Sequence, residues 1–397
     1  MRRLPPVLLV LLALAAAPLS AQVPVGHEIQ VNQNQAGKQV RPDVGVAADG
    51  SFVVAWEARG RGHVWVRRYR AGGKPHGSEL RVSRLGDGHQ AAPAVAVWPD
   101  GSFVVVWNRI AAGGTRVEVY ASRFTAGGQA AGEPRLVGSA ALASAGEPAA
   151  VTLLPDGGFF VAWTLEDGLV GDTPSRDLYG RRFTRNGVPA GGRVTLNADP
   201  GGDQRHPECA VSRGAEIVCT WTSDLGEGSF GEALFRRFDL DGRPLGDGLQ
   251  VNEPDTTGHA QRHPSLAVHA DGTVLVAWLD ATDVDSGHVH ARLLDDADRF
   301  LGPTFLVSTA ETFLGEPRAA ATDAGFAVIW TDRMAILLRE VSAAGAVAGA
   351  ARQVNERFDG DDLERPAIAF GPAGGAGVWA TSFLGFRGSG IKARRLR

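Results

Sequence analysis

Sulfur is scarce in this chain: two cysteines and two methionines stand among 397 residues, with only three tyrosines beside them. Two cysteines exclude a disulfide-dense scaffold and a cysteine-rich metal site, and leave room for a single bridge. Beyond the N-terminal leader no apolar run approaches the roughly 20 residues that a membrane helix needs, so no membrane span is expected. Neither charge dominates: 40 Lys and Arg stand against 44 Asp and Glu, a net charge of −4. That balance gives no footprint for nucleic acid or an anionic membrane. Catalytic signatures are missing as well. There is no His-Glu-x-x-His, no Gly-x-Ser-x-Gly and no Cys-x-x-Cys, which removes the commonest zinc, nucleophile-elbow and redox motifs. The Ser-x-Asp-x-Gly-x-x-Trp box of sialidases fails too, because Asp100 and Gly101 are adjacent and Trp107 lies too far on.

What is present begins with a leader. Arg2 and Arg3 open the chain, Leu8 to Ala17 form an apolar stretch, and Leu19-Ser20-Ala21 offers a small-residue cleavage site. This is the pattern of a secretory signal peptide over residues 1–21, with no cysteine nearby to carry a lipid. The mature chain, residues 22–397, is therefore expected to be secreted or periplasmic.

Seven repeats of about 50 residues fill that mature chain. Trp56, Trp107, Trp163, Trp221, Trp278, Trp330 and Trp379 each close an apolar run such as Phe52-Val-Val-Ala-Trp56. A proline stands 13 to 15 residues ahead of each: Pro42, Pro93, Pro148, Pro207, Pro264, Pro317 and Pro366. An arginine follows each: Arg68, Arg123, Arg182, Arg237, Arg292, Arg339 and Arg395. Every unit holds four short β-type runs, here lettered A to D, and almost nothing with helical period. Strand A follows the proline, an Asp-Gly turn such as Asp100-Gly101 leads to strand B, strand C carries the arginine, and a glycine-bounded turn leads to strand D.

Four strands per repeat predict an all-β fold, a single seven-bladed β-propeller of antiparallel blades. The termini fit this count. Glu28-Ile-Gln-Val-Asn32 reads as a strand D and Ile391 to Arg397 as a strand C, so residues 28–32 are expected to join the last blade and close the ring. Closure removes two exposed edges. The tryptophans read as wedges between blades, and the arginines as residues that pack on neighbouring blades and pair across strands. Cys209 and Cys219 flank a turn around Arg213-Gly214-Ala215, between strands A and B of the fourth unit. Pairing 212 with 216 places 209 opposite 219, which is within disulfide reach.

The motifs Pro155-Asp-Gly-Gly-Phe-Phe-Val-Ala-Trp163 and Gly246 to Asn252 resemble a propeller-type repeat of uncharacterised bacterial extracellular proteins. Its form is Pro-x-Val-Ala, Asp-Gly-Gly-Phe-Val-Val-x-Trp, Arg-Phe, then Glu-Phe-x-Val-Asn. The resemblance covers nearly the whole mature chain. It implies location and architecture and carries no catalytic residues.

In such a ring the D–A and B–C loops emerge on one face. The tryptophan-to-arginine distance runs from 9 residues in the sixth repeat to 19 in the third, so this face varies most and is the expected place for binding. The residue before each repeat proline enters the innermost strand and should ring the axis: Arg41, Ala92, Glu147, His206, His263, Glu316 and Arg365. Histidine and carboxylate suit a divalent metal or acid–base work. The candidate binding residues are thus Glu147, His206, His263, Glu316, Arg41 and Arg365, with ordinary channel lining as the alternative. A second candidate is the acidic B–C loop Asp280, Asp283 and Asp285, whose carboxylates offer oxygen ligands to calcium or simply face solvent. The metal candidates are therefore His206, His263, Asp280, Asp283 and Asp285, and no other cofactor is implied. The expected function is a secreted, monomeric, non-catalytic scaffold or binding module for an extracellular protein or carbohydrate. The alternative is a secreted hydrolase or lyase with acid and base residues at the channel mouth. A deep, narrow mouth with perturbed carboxylates or histidines favours the enzyme, and a broad shallow face favours binding.

Overall fold

The computed structural model describes residues 23–397 except 60–61, 83–84, 87, 115, 142–146, 171–172, 199–201, 225–230, 255–257, 282–285, 309–311, 314–315, 333–334, 357–361 and 383–388. The leader expected over residues 1–21 lies outside the described residues.

Seven antiparallel sheets of four strands each stand around a common axis as a β-propeller, with strand order A-B-C-D outward in every blade. In the first blade these strands are Gln39–Val46, Phe52–Ala58, His63–Tyr69 and Leu80–Arg81. The fifth blade gains a short extra pairing from Thr312–Phe313. No helix among the described residues is long and apolar enough to cross a membrane.

Strand B is covered on both faces by neighbouring blades, so it reads as a continuous apolar run and not an alternation. Phe52–Ala58 is buried at every position, and all seven repeat tryptophans are at most 1% exposed. The aromatic that opens strand B stacks on the one that ends strand C: Phe52 on Tyr69, Phe103 on Phe124 and Phe159 on Phe183, with ring centroids 4.7, 4.8 and 5.0 Å apart. Such cross-strand pairs hold the register.

Strand D is two residues long in blades 1, 3, 4, 5 and 6, and side chains continue its ladder in several blades. The strand C amides of Leu178, Ala233 and Ile336 donate to the Oδ1 atoms of Asn197, Asn252 and Asn355 at 2.8, 2.9 and 2.8 Å. The repeated Val-Asn of the sequence is thus a strand terminator.

The arginines follow two registers where the sequence suggested one. Arg68, Arg123, Arg182, Arg237 and Arg395 lie opposite the residue three before the tryptophan and reach forward to the next blade. There Arg68 donates to the Ala126 carbonyl at 2.7 Å and Arg237 meets Asp298 at 2.6 Å. Arg292 and Arg339 sit one position earlier on strand C. They point back to the preceding blade and donate to the carbonyls of Val251 and Val307 at 3.0 and 2.8 Å. Alternate strand residues face opposite sides, so one residue of offset reverses the partner.

The ring closes as expected. Pro24–Gln30 pairs with Ser389–Leu396 in the last blade, the Val31 amide donates to the Ile391 carbonyl at 2.8 Å, and the Ile391 amide donates to Asn32 Oδ1 at 2.7 Å. Val31, Ile391 and Ala393 then pack with Trp56 of the first blade. A chain lacking residues 23–32 should melt many degrees below the native one, and matching melting curves would show that the closure is not needed.

Cys209 and Cys219 face each other across strands A and B and are joined as a disulfide, with Cα atoms 4.2 Å apart. The loop it closes is short, so replacing both cysteines by alanine should cost about 2–3 kcal/mol in denaturant unfolding. Two free thiols in oxidised native protein would contradict the bridge.

Candidate functional site

The channel mouth is shaped by a break in strand A. Antiparallel pairing with strand B slips at Val40/Asp43, Ala91/Ala94, Arg205/Glu208, Arg262/Ser265 and Glu364/Ala367. At each slip the residue before the proline adopts a left-handed backbone, with φ of 52° at Arg41, 49° at Ala92, 54° at His206, 51° at His263 and 47° at Arg365. Proline has no N–H for the ladder and disfavours the right-handed helical region in the residue before it, so a bulge forms there. In blades 3 and 6 strand A starts only after the proline, at Ala150 and Arg318, and Glu147 and Glu316 enter from the preceding loop.

A hydrogen bond pins three of these bulges. The indoles of Trp56, Trp221 and Trp278 donate to the Oε1 atoms of Gln39, Gln204 and Gln261 at 3.0, 2.8 and 2.7 Å. The sequence analysis missed these glutamines. Their signal is a Gln-x-x-Pro with the tryptophan 17 residues beyond the glutamine.

The ring predicted before the prolines does gather at the axis. His206 Nε2 lies 2.8 Å from Glu147 Oε2, and the His206 and His263 rings touch with centroids 4.0 Å apart. His263 Nδ1 lies 3.5 Å from Glu316 Oε1, which is also 3.0 Å from Arg365. Arg41 pairs outward with Glu57 at 3.3 Å. A contiguous run of charge thus passes from blade 3 through blade 7.

A second tier, not anticipated from the sequence, lies one level deeper. The residue after each proline also points inward, which supplies Asp43, Glu208, Ser265 and Arg318. Ser265 Oγ donates to Glu208 Oε1 at 3.0 Å and accepts from the Ala319 amide at 2.9 Å. Asp43 Oδ2 accepts from the Val95 amide at 2.7 Å, and Arg318 meets Glu316 at 3.2 Å. Between the tiers is a cavity of about 210 Å³ lined by Arg41, Asp43, Glu208, Glu316, Arg318 and Arg365, with prolines and small apolar residues.

This setting displaces several acidities. Burial opposes ionisation of Glu147, yet the hydrogen bond from His206 and the charge of both imidazoles bring it down to about 2. Burial opposes ionisation of Glu316 too, but His263, Arg365 and Arg318 hold it well below the usual carboxylate range. Burial pushes His263 down to about 3 against the pull of Glu316. Burial also raises Asp43 to about 6 and Glu208 to about 7, with only partial relief from the Val95 amide and from Arg318. Acids and a histidine displaced in opposite directions around one axis are the electrostatic pattern of working sites.

Among the described residues no three His, Cys, Asp or Glu side chains converge as a metal would require. The His206 and His263 rings touch at a tilt of 49° and turn to separate carboxylates. Asp280 is taken up by His259 at 3.2 Å and Gln261 at 3.1 Å, and Asp283 and Asp285 lie outside the described residues. The long tryptophan-to-arginine span of blade 3 is taken up by its strands B and C, Phe159–Val170 and Thr173–Phe183, which extend as a hairpin. Arg176 of that hairpin binds Asp203 at 2.6 Å, which ties it to the strand that carries His206.

No protein-family model and no curated protein matches this chain. Solved structures do match. A protein of unknown function from Dyadobacter fermentans, 13% identical, covers 96% of this chain and 100% of its own with a TM-score of 0.59. The Penicillium chrysogenum alpha-L-arabinanase complexed with arabinobiose is 12% identical, covers 94% and 98%, and has a TM-score of 0.53. The polysaccharide lyase Uly1 is 8% identical, covers 94% and 99%, and has a TM-score of 0.56. At these identities the likeness is one of fold.

Glu208 makes the electrostatics testable. Its folded value, about 7, lies above its unfolded one, so the folded state holds the extra proton and stability falls as pH rises through that window. Glu208→Gln should match the native chain near pH 5 and exceed it near pH 8 by on the order of 2 kcal/mol. Parallel pH–stability curves for the two proteins would show that Glu208 titrates normally.

Proposed function

We propose that the protein is a secreted carbohydrate-active propeller, a hydrolase or lyase, working at the channel mouth. One observation carries this reading. Two imidazoles each face a glutamate, and one of those glutamates, Glu316, lines the same cavity as Glu208, a buried carboxyl that keeps its proton to about pH 7. Cleavage of a glycosidic linkage, by water or by elimination, needs a proton acceptor and a proton donor at one place. His263, kept neutral by burial, and His206 are the candidate acceptors, oriented by Glu316 and Glu147. Glu208 is the candidate donor.

Three further facts support the reading over a non-catalytic scaffold. Acids and a histidine at the mouth are perturbed. The fold is shared with an arabinanase and a polysaccharide lyase over nearly the full length. The leader-like start and the Cys209–Cys219 bridge suit an exported protein.

Purified protein incubated with arabinan and a panel of acidic and neutral polysaccharides should release reducing ends or unsaturated products. Activity should fall as pH rises through about 7, when Glu208 loses its proton. His263→Ala and Glu208→Gln should each lower kcat by about 100-fold with the fold intact. Full activity in both variants, or no cleavage of any polymer, would remove the enzymatic reading.

A further inference from the structure

Three arginines and three acids line the axial cavity, and their pairing is uneven. Arg41, Arg318 and Arg365 all line it, and Glu316 alone answers both Arg318 at 3.2 Å and Arg365 at 3.0 Å. Arg41 leans on Glu57 at 3.3 Å, but that carboxylate also takes Arg59 at 3.2 Å and His89 at 3.4 Å. The Arg41 Nε is buried without a hydrogen-bond partner. Burial, and after it repulsion from Arg365, holds the Arg41 guanidinium below its ordinary value. The remaining acids of the cavity, Asp43 and Glu208, are the two that burial drives toward their neutral forms.

Arg41 and Arg365 stand on adjacent blades on either side of the ring closure, both in left-handed bulge positions with φ of 52° and 47°. A left-handed backbone is costly for a side-chain-bearing residue, about 1–2 kcal/mol. Glycine would relieve it, and arginine keeps it. We infer that this edge of the cavity binds the carboxylate of an acidic sugar, a uronate unit, between Arg41 and Arg365. The inference rests on the carbohydrate-active reading and names its substrate class. A guanidinium presents a planar fork of donors that meets a carboxylate with two parallel hydrogen bonds, and the sugar ring of a uronate adds contacts that a bare oxyanion lacks. The cavity of about 210 Å³ is smaller than the about 300–1,000 Å³ of pockets for drug-sized ligands. It therefore takes one unit, at the end of a chain.

The test is binding, not turnover. The full chain is titrated with D-glucuronate and D-galacturonate by calorimetry and thermal shift, with D-glucose, D-galactose and sodium sulfate at equal concentration and ionic strength as controls. A uronate should raise the melting temperature in a dose-dependent way and by more than sulfate does, while neutral sugars should not. Arg365→Lys and Arg41→Lys, which keep the charge and lose the fork, should each weaken uronate binding about tenfold or more. Equal shifts with glucose and glucuronate, equal shifts with sulfate and glucuronate, no shift with either uronate, or Lys variants that bind as the native chain does would each overturn the inference. Uronate binding without cleavage of any polymer would keep this inference and remove the enzymatic reading. Cleavage of a neutral polymer with no response to uronates would do the reverse.

Discussion

Proline cannot donate to an antiparallel ladder, and each blade places one on the strand nearest the axis. In five blades the ladder is interrupted there by a bulge, and the residue before the proline turns left-handed. The side chains before and after that proline both come to face the channel. Two tiers of functional groups therefore stand where an uninterrupted strand would present one. The tryptophan-to-glutamine hydrogen bonds of blades 1, 4 and 5 lock the bulge from behind, so the shape of the mouth depends on the wedge residue that also seals the blades together.

Seven strands converging on one axis leave little volume for water, and this sets the electrostatics. Charged groups there must find partners among themselves. Glu316 is the node of that network, facing His263, Arg318 and Arg365 together. Groups farther from a cation respond to burial by moving toward neutrality, as Asp43 and Glu208 do. The same confinement that makes these charges expensive makes them strong when a ligand supplies the missing partner, because screening by solvent is weak. The outer strands have no such role. Their arginines reach over or under to the adjoining blades, hydrogen-bonded to backbone carbonyls such as those of Ala126 and Val251 or paired with exposed acids.

Much of the architecture was legible because it repeats. Seven tryptophans at regular spacing, seven prolines ahead of them and a blade split between the two termini describe a closed ring. The Cys209–Cys219 pair followed from counting across one turn. The axial ring from Arg41 to Arg365 followed from a single offset, the position before each proline. The position after the proline carried the same information by the alternation of a strand, yet Asp43, Glu208 and Arg318 were passed over, since a bulge normally shifts that alternation. The arginine repeat misled for a related reason. Arg292 and Arg339 are one residue out of step with the other five, and aligned sequence alone treats a slip of one as equivalence.

Local patterning determined the strands, their number, their pairing partners and the residues that would reach the axis, since these follow from backbone periodicity and turn chemistry within each repeat. Only the tertiary structure decided which axial groups meet. His206 came to rest on Glu147 and His263, the Glu316 carboxylate was shared by two arginines, and Arg41 turned aside to Glu57. Distances across a closed ring are set by the tilt and spacing of all seven blades at once. Whether two imidazoles share an ion or touch, and whether a carboxyl keeps its proton, depends on those distances and on burial, which no single repeat encodes.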